Sequence, residues 1–147
     1  MFKHILVPTD GSTLSNDAVK RAIAFAREAR ARLTFMFAKP DYPVAFYGEG
    51  ALIDPTTPEK FAEMAEQQAN EILSVCESLA RESGVESGSV SLTSDIPYEA
   101  IINAAESSGC DLIFMASHGR RGITGLLLGS ETQKVLTHSK IPVLVYR

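Results

Sequence analysis

Asp111-Leu112-Ile113-Phe114-Met115-Ala116-Ser117-His118-Gly119-Arg120-Arg121-Gly122-Ile123-Thr124-Gly125-Leu126-Leu127-Leu128-Gly129-Ser130 joins a short apolar run to the predicted start of a helix through four glycines. Six residues, Asp111 to Ala116, suit a strand buried on both faces, and a helix is predicted from about Ser130 to Ser139. Glycines let backbone amides converge without side-chain obstruction, and the amides and positive dipole end at Gly129 and Ser130 favour an anion. The Ser130 hydroxyl adds a donor. Arg120 and Arg121 suit phosphate neutralisation, because guanidinium groups make paired contacts. A plainer reading also stands: the glycines make only a strand-to-helix turn and the arginines are solvated. There is no Gly-Lys-Ser/Thr as in a P-loop and no GxGxxG order, so neither of those phosphate motifs applies.

Working outward, the same alternation recurs. Lys3 to Pro8 is a short apolar run, and Ser15 to Arg32 places Ala18, Val19, Ala22, Ile23, Ala26 and Ala29 at helical spacing. Leu33 to Ala38 is a second strand, apolar on both faces. Pro40 to Pro58 holds four prolines, two glycines and the aromatics Tyr42, Phe46 and Tyr47, which predicts an irregular excursion that either covers a ligand or meets a partner. Thr57 and Pro58 supply an N-cap and a first-turn proline for a long helix ending near Gly84, with Phe61, Ala65, Ile72, Cys76 and Leu79 on one face. Ser89 to Ser94 reads as a strand, and Pro97 opens a helix facing inward with Ala100, Ile101, Ala104 and Ala105, stopped by Gly109. Ile141 to Tyr146 closes the chain as a strand. The order β-α-β-α-β-α-β-α-β argues for an α/β fold: a parallel sheet with helices on both faces. Ligands of such sheets sit beyond the carboxyl ends of the strands where the strand order reverses. Asp10 and Gly119 each lie just past such an end.

Composition narrows the function classes. The chain has 147 residues, 45% hydrophobic and 22% charged, which suits one globular domain spanning 1–147. Fourteen basic against eighteen acidic residues give a formal charge of −4, without the basicity of a protein that coats nucleic acid. No stretch has the length of a membrane span, and the opening apolar run is too short for a signal peptide, so a cytoplasmic location is expected. Cys76 and Cys110 lack metal-ligand or redox spacing and read as small core residues. His4 and His138 read as structural. His118 is either solvated, bonded to backbone or a ligand contact. Asp10, before Gly11, either makes an Asx turn or reaches a ligand. No nucleophile, base and orienting group are recognisable together, so catalysis is not expected beyond slow turnover.

The opening Ile5-Leu6-Val7-Pro8-Thr9-Asp10-Gly11-Ser12, the glycine stretch and the closing Ile141-Pro142-Val143-Leu144-Val145-Tyr146 resemble a single-domain universal stress protein over essentially the whole chain. The nucleotide-binding branch of that family carries Gly-x2-Gly-x9-Gly-Ser/Thr. Here the second glycine falls on Gly119 and the last pair on Gly129-Ser130, while Ala116 replaces the first. The resemblance implies a five-stranded parallel sheet in order 3-2-1-4-5, of Rossmann-like kind, that binds ATP, with Mg²⁺ accompanying the triphosphate. Pro8, Thr9, Asp10, Ala38 and Met115 are implied to line the adenine and ribose side. The backbone from Ser117 through His118 and Gly119, and from Gly129 through Ser130, Glu131 and Thr132, is implied to hold the phosphates, with Ala116 beside it at the nucleotide and Arg120, Arg121 and Gly122 between. A homodimer through Ile141 to Tyr146 and a further protein partner in a stress response are implied too. The competing readings are a nucleotide-independent dimeric interaction protein and a slow ATPase or phosphotransferase.

Overall fold

The computed structural model describes residues 1–42, 57–119 and 127–147. Along the chain run β1 (His4–Pro8), α1 (Thr13–Ala29), β2 (Arg32–Lys39), α2 (Pro58–Glu82), β3 (Ser87–Thr93), α3 (Pro97–Ser107), β4 (Leu112–Ala116), α4 (Ser130–His138) and β5 (Val143–Tyr146). The strands form one parallel sheet in the order β3-β2-β1-β4-β5.

Alternation along β4 divides the core into two layers. Leu112, Phe114 and Ala116 join Ile5, Val7 and Phe35 beneath α1 and α2, whereas Ile113 and Met115 join Leu6 and Met36 beneath α3 and α4. β1 lies in the centre, and Ile5, Leu6 and Val7 are fully buried. β3, with β2 as its one neighbouring strand among the described residues, lies at an edge. Its polar Ser-Gly-Ser-Val-Ser-Leu-Thr sequence is half-buried to exposed, as an edge position permits.

Helix boundaries follow local chemistry. Ser12 caps α1 by accepting from the Ser15 amide, so the helix starts at Thr13 rather than Ser15. It ends at Ala29 rather than Arg32 because Arg30 takes the left-handed conformation, φ 55°, and its amide closes on Ala26 and Arg27 carbonyls. Sequence pattern missed this stop because no glycine marks it. α2 has the expected Thr57 cap and Pro58, but its buried line is Ala65, Ala69, Leu73, Cys76 and Ala80. Phe61, Ile72 and Leu79 flank that line, half-buried: the small alanines let the helix sit close to the sheet and push the larger side chains to the rim. α3 buries the four residues expected of it, and Gly109 follows it at φ 70°. β5 begins at Val143, two residues later than expected. The Ile113 amide pairs with the Pro142 carbonyl, but Pro142 has no N–H with which to extend the ladder.

Candidate functional site

The sheet opens at its switch point. β1 and β2 pair over five positions, whereas β1 and β4 pair only at Ile5↔Leu112 and Leu6↔Ile113. Because α1 leaves β1 toward one face and α4 follows β4 toward the other, a crevice forms between the carboxyl ends of β1 and β4.

On the β1 side, Thr9 is buried, with its hydroxyl 2.6 Å from that of Ser15 and accepting from the Gly11 amide. Its amide donates to Met36 at 2.8 Å, which anchors the turn to β2. Asp10 uses Oδ1 to accept from the Ser12 amide at 2.9 Å, the Asx turn anticipated as one of its two roles. The other carboxylate oxygen faces β4: a Cβ added at Gly119 would stand 2.7 Å from Asp10 Oδ2. A side chain at 119 would therefore have to displace the Asp10 carboxylate. Sequence reasoning overlooked Ser12 and Ser15, although Ser15, a polar residue on the buried face of α1, was the available signal.

On the β4 side, Ser117 is buried, donates its amide to the Tyr146 carbonyl at 2.7 Å and places its hydroxyl 2.9 Å from His118 Nδ1. His118 Nε2 is buried and meets no partner among the described residues. When the serine hydroxyl donates to Nδ1, Nε2 carries the ring proton and is a donor. Ala116 is buried within the layer under α1 and α2, so its side chain belongs to the core on that side.

The start of α4 departs from the expected use of Gly129. Its amide donates to the Ser117 carbonyl at 2.8 Å and is not free for an anion. Its role is proximity, since a Cβ there would lie 3.1 Å from the Ser117 oxygen and 3.4 Å from His118 Cα. Gly129 is the N-cap and makes no side-chain cap, so the amides of Ser130, Glu131 and Thr132 start the helix without intrahelical acceptors. Ser130 is exposed, but Thr132 is buried and its hydroxyl donates to the Ala116 and Ser117 carbonyls at 3.1 and 3.2 Å. Glu131 turns toward α3, where its carboxylate accepts from the Tyr98 amide. The fold thus assigns the Thr132 and Glu131 side chains to support, leaving their backbone at the crevice. Pro8 and Ala38 stand half-buried at the ends of β1 and β2, and Met115 is buried under α3. Arg120, Arg121 and Gly122 lie outside the described residues, as do Phe46 and Tyr47.

Sheet order, crevice and Gly-Ser helix start together match a known group. The universal stress protein family model matches residues 1–147. The chain belongs to the universal stress protein family. It is 32% identical to universal stress protein MJ0531 of Methanocaldococcus jannaschii over 148 residues, covering all of this chain and 83% of that one. Among solved structures, the protein MJ0577 superposes with a TM-score of 0.81 at 27% identity, covering 99% of this chain and 95% of that one. A universal stress protein solved in complex with cAMP superposes at 0.71 with 26% identity, covering 99% and 97%. This universal stress protein has no helix among its described residues long and apolar enough to cross a membrane.

His4, His138 and the two cysteines belong to the fold. His4 is buried, with Nε2 2.7 Å from the Thr34 hydroxyl. Burial, aided by the Arg32 charge, lowers its pKa against the opposing pull of Asp111 and Glu86. Burial pushes the Cys76 and Cys110 thiols up to about 11, so both are inert core residues at neutral pH, as expected. His138 packs its ring on Tyr98 at 5.2 Å.

Proposed function

We propose that the chain binds an adenine nucleotide, ATP in particular, in the crevice between β1 and β4, and that occupancy alters its recognition of a partner in a stress response. The observation that carries this reading is the approach of Gly119 to Asp10, with 2.7 Å from a would-be Cβ to Oδ2, beside a helix start that lacks a side-chain cap. A carboxylate at that place suits ribose hydroxyls, and uncapped amides suit phosphate. The related structure in complex with cAMP supports the adenine part. In this reading Pro8, Ala38 and Met115 border the base, the Thr9 and Asp10 turn meets the ribose, and the backbone of Ser117 to Gly119 and Ser130 to Thr132 meets the phosphates. Arg120 and Arg121 add cationic charge.

Magnesium fits this arrangement as a companion of the triphosphate. Among the described residues no three His, Cys, Asp or Glu side chains gather as a cage, so phosphates and water would supply most of its ligands, as its chemistry favours. Bound there, it would offset phosphate charge. The half-buried strand β5 is last in the sheet order, and its outer side, which pairs with no strand among the described residues, suits strand pairing with a second copy in a homodimer. Sedimentation at micromolar protein tests that point, with a monomer as the contrary result.

Calorimetry with ATP at millimolar magnesium tests the main reading. Saturable heat and an upward thermal shift are expected; neither at millimolar ATP sinks it. Mass spectrometry of ligand released from freshly purified protein then identifies the nucleotide carried.

A further inference from the structure

Helix α3 begins without a side-chain cap of its own. Ile96, at the N-cap position, makes no side-chain hydrogen bond, and Pro97 in the first turn has no N–H. The Tyr98 amide is therefore the first backbone donor of the helix, and it donates to Glu131 Oε2 at 2.9 Å across 33 residues of sequence. Glu131 thus does from α4 what an N-cap side chain ordinarily does from within. The other carboxylate oxygen accepts from Lys134 Nζ at 3.3 Å. Lys134 also lies 5.6 Å over the Tyr98 ring, and that ring rests on His138.

This fixes a negative charge in the first turn of the helix whose amino end faces the crevice. An acidic side chain there is favoured by the helix dipole, and an anionic ligand at the same helix end draws on the same dipole. The two compete, and the α3 cap keeps Glu131 from swinging clear. We infer that the Glu131 carboxylate, offset by Lys134, sets how strongly the crevice favours charged ligands: its charge determines specificity, weakening binding of phosphate-bearing nucleotides without itself touching them. The inference rests on the nucleotide reading above.

Replacing Glu131 by Gln keeps an acceptor for the Tyr98 amide and removes the charge. Titration calorimetry of wild type and Glu131→Gln with ATP, AMP and uncharged adenosine, at low and high salt, tests the idea. In low salt, Glu131→Gln should bind ATP and AMP roughly 3- to 5-fold more tightly, with the gain fading at high salt and adenosine unaffected. Lys134→Met should weaken both phosphates by a similar factor. A merely structural role would move adenosine along with the phosphates and leave salt dependence unchanged. Wild-type binding of ATP with no gain in Glu131→Gln, or with an equal gain for adenosine, overturns this inference and leaves the nucleotide reading intact. Absence of ATP binding by wild type and by Glu131→Gln overturns the nucleotide reading, and this inference with it. Thermal midpoints of both variants within a few degrees of wild type confirm that folding is preserved.

Discussion

The two ends of the sheet treat an aspartate in opposite ways. At the amino end, Asp111 precedes β4 and accepts from the Lys3 amide at 2.9 Å and the His4 amide at 3.0 Å, so its carboxylate fastens β1 to β4. Burial would raise its pKa, but the backbone donors of His4 and Lys3 outweigh that and lower it. At the carboxyl end, Asp10 follows β1, binds the Ser12 amide with Oδ1 and turns Oδ2 to the space beside Gly119. One end directs its polar groups into holding strands together. The other holds a carboxylate and a helix start at an opening in the sheet. In a parallel sheet the helices that follow the strands leave their amino ends at the carboxyl edge, so the two edges are electrostatically unlike before any side chain is chosen.

The comparison breaks most sharply at Gly119. Gly119→Val forces Asp10 aside and should weaken ATP binding at least roughly 100-fold, about 2.7 kcal/mol, with little change in thermal midpoint. Calorimetry and a melting curve on the same sample read both, and retained affinity would break the link between Asp10 and the site. Asp111→Ala should do the reverse. Loss of the acceptor for two amides lowers stability by about 1–3 kcal/mol in urea unfolding, with ATP affinity unchanged. If nucleotide binding falls instead, the two ends are coupled.

Smaller effects sharpen the carboxyl end. Gly129→Val brings a branched side chain against the Ser117 carbonyl and should weaken ATP roughly tenfold, while His118→Ala weakens it about twofold, a difference set by backbone displacement against loss of one donor. Equal affinities for the two variants contradict that ranking. The smallest expected effect lies at His4. Its folded pKa is lowered below 6.5, so the neutral ring contributes stability that is present above pH 6.5 and is lost as pH falls from there toward the folded value. Asp111, lowered below 3.8, adds a separate loss further into acid, as pH drops through its folded value. Urea midpoints between pH 7.5 and 5 should decline in wild type and flatten in His4→Gln; an unchanged slope assigns the decline elsewhere.

Much of this was legible in the residues. Apolar runs of four to six residues separated by 3.6-periodic segments specify strand and helix because burial needs those periods. Thr57-Pro58 and Gly109 marked helix ends because each has a conformational preference that acts locally. Asp10 and Gly119 were recognisable as strand-end residues from the same alternation. The end of α1 at Arg30 was not, since a left-handed arginine is selected by contacts distant in sequence. The Ala69-Leu73-Ala80 line of α2 was hidden for a similar reason: which of two adjacent apolar faces is buried depends on how close the helix can come to the sheet.

By itself the sequence determined the order of elements, the parallel α/β class and a glycine-rich junction between strand and helix, all consequences of short-range periodicity and backbone preference. Only the tertiary structure decided how those parts are employed. It set the distance from Gly119 to Asp10, tied the Gly129 amide to Ser117, and turned Glu131 from the crevice to the start of α3. These meetings join groups 12 to 109 residues apart, and sequence pattern carries no term for which groups will face one another once the sheet has formed.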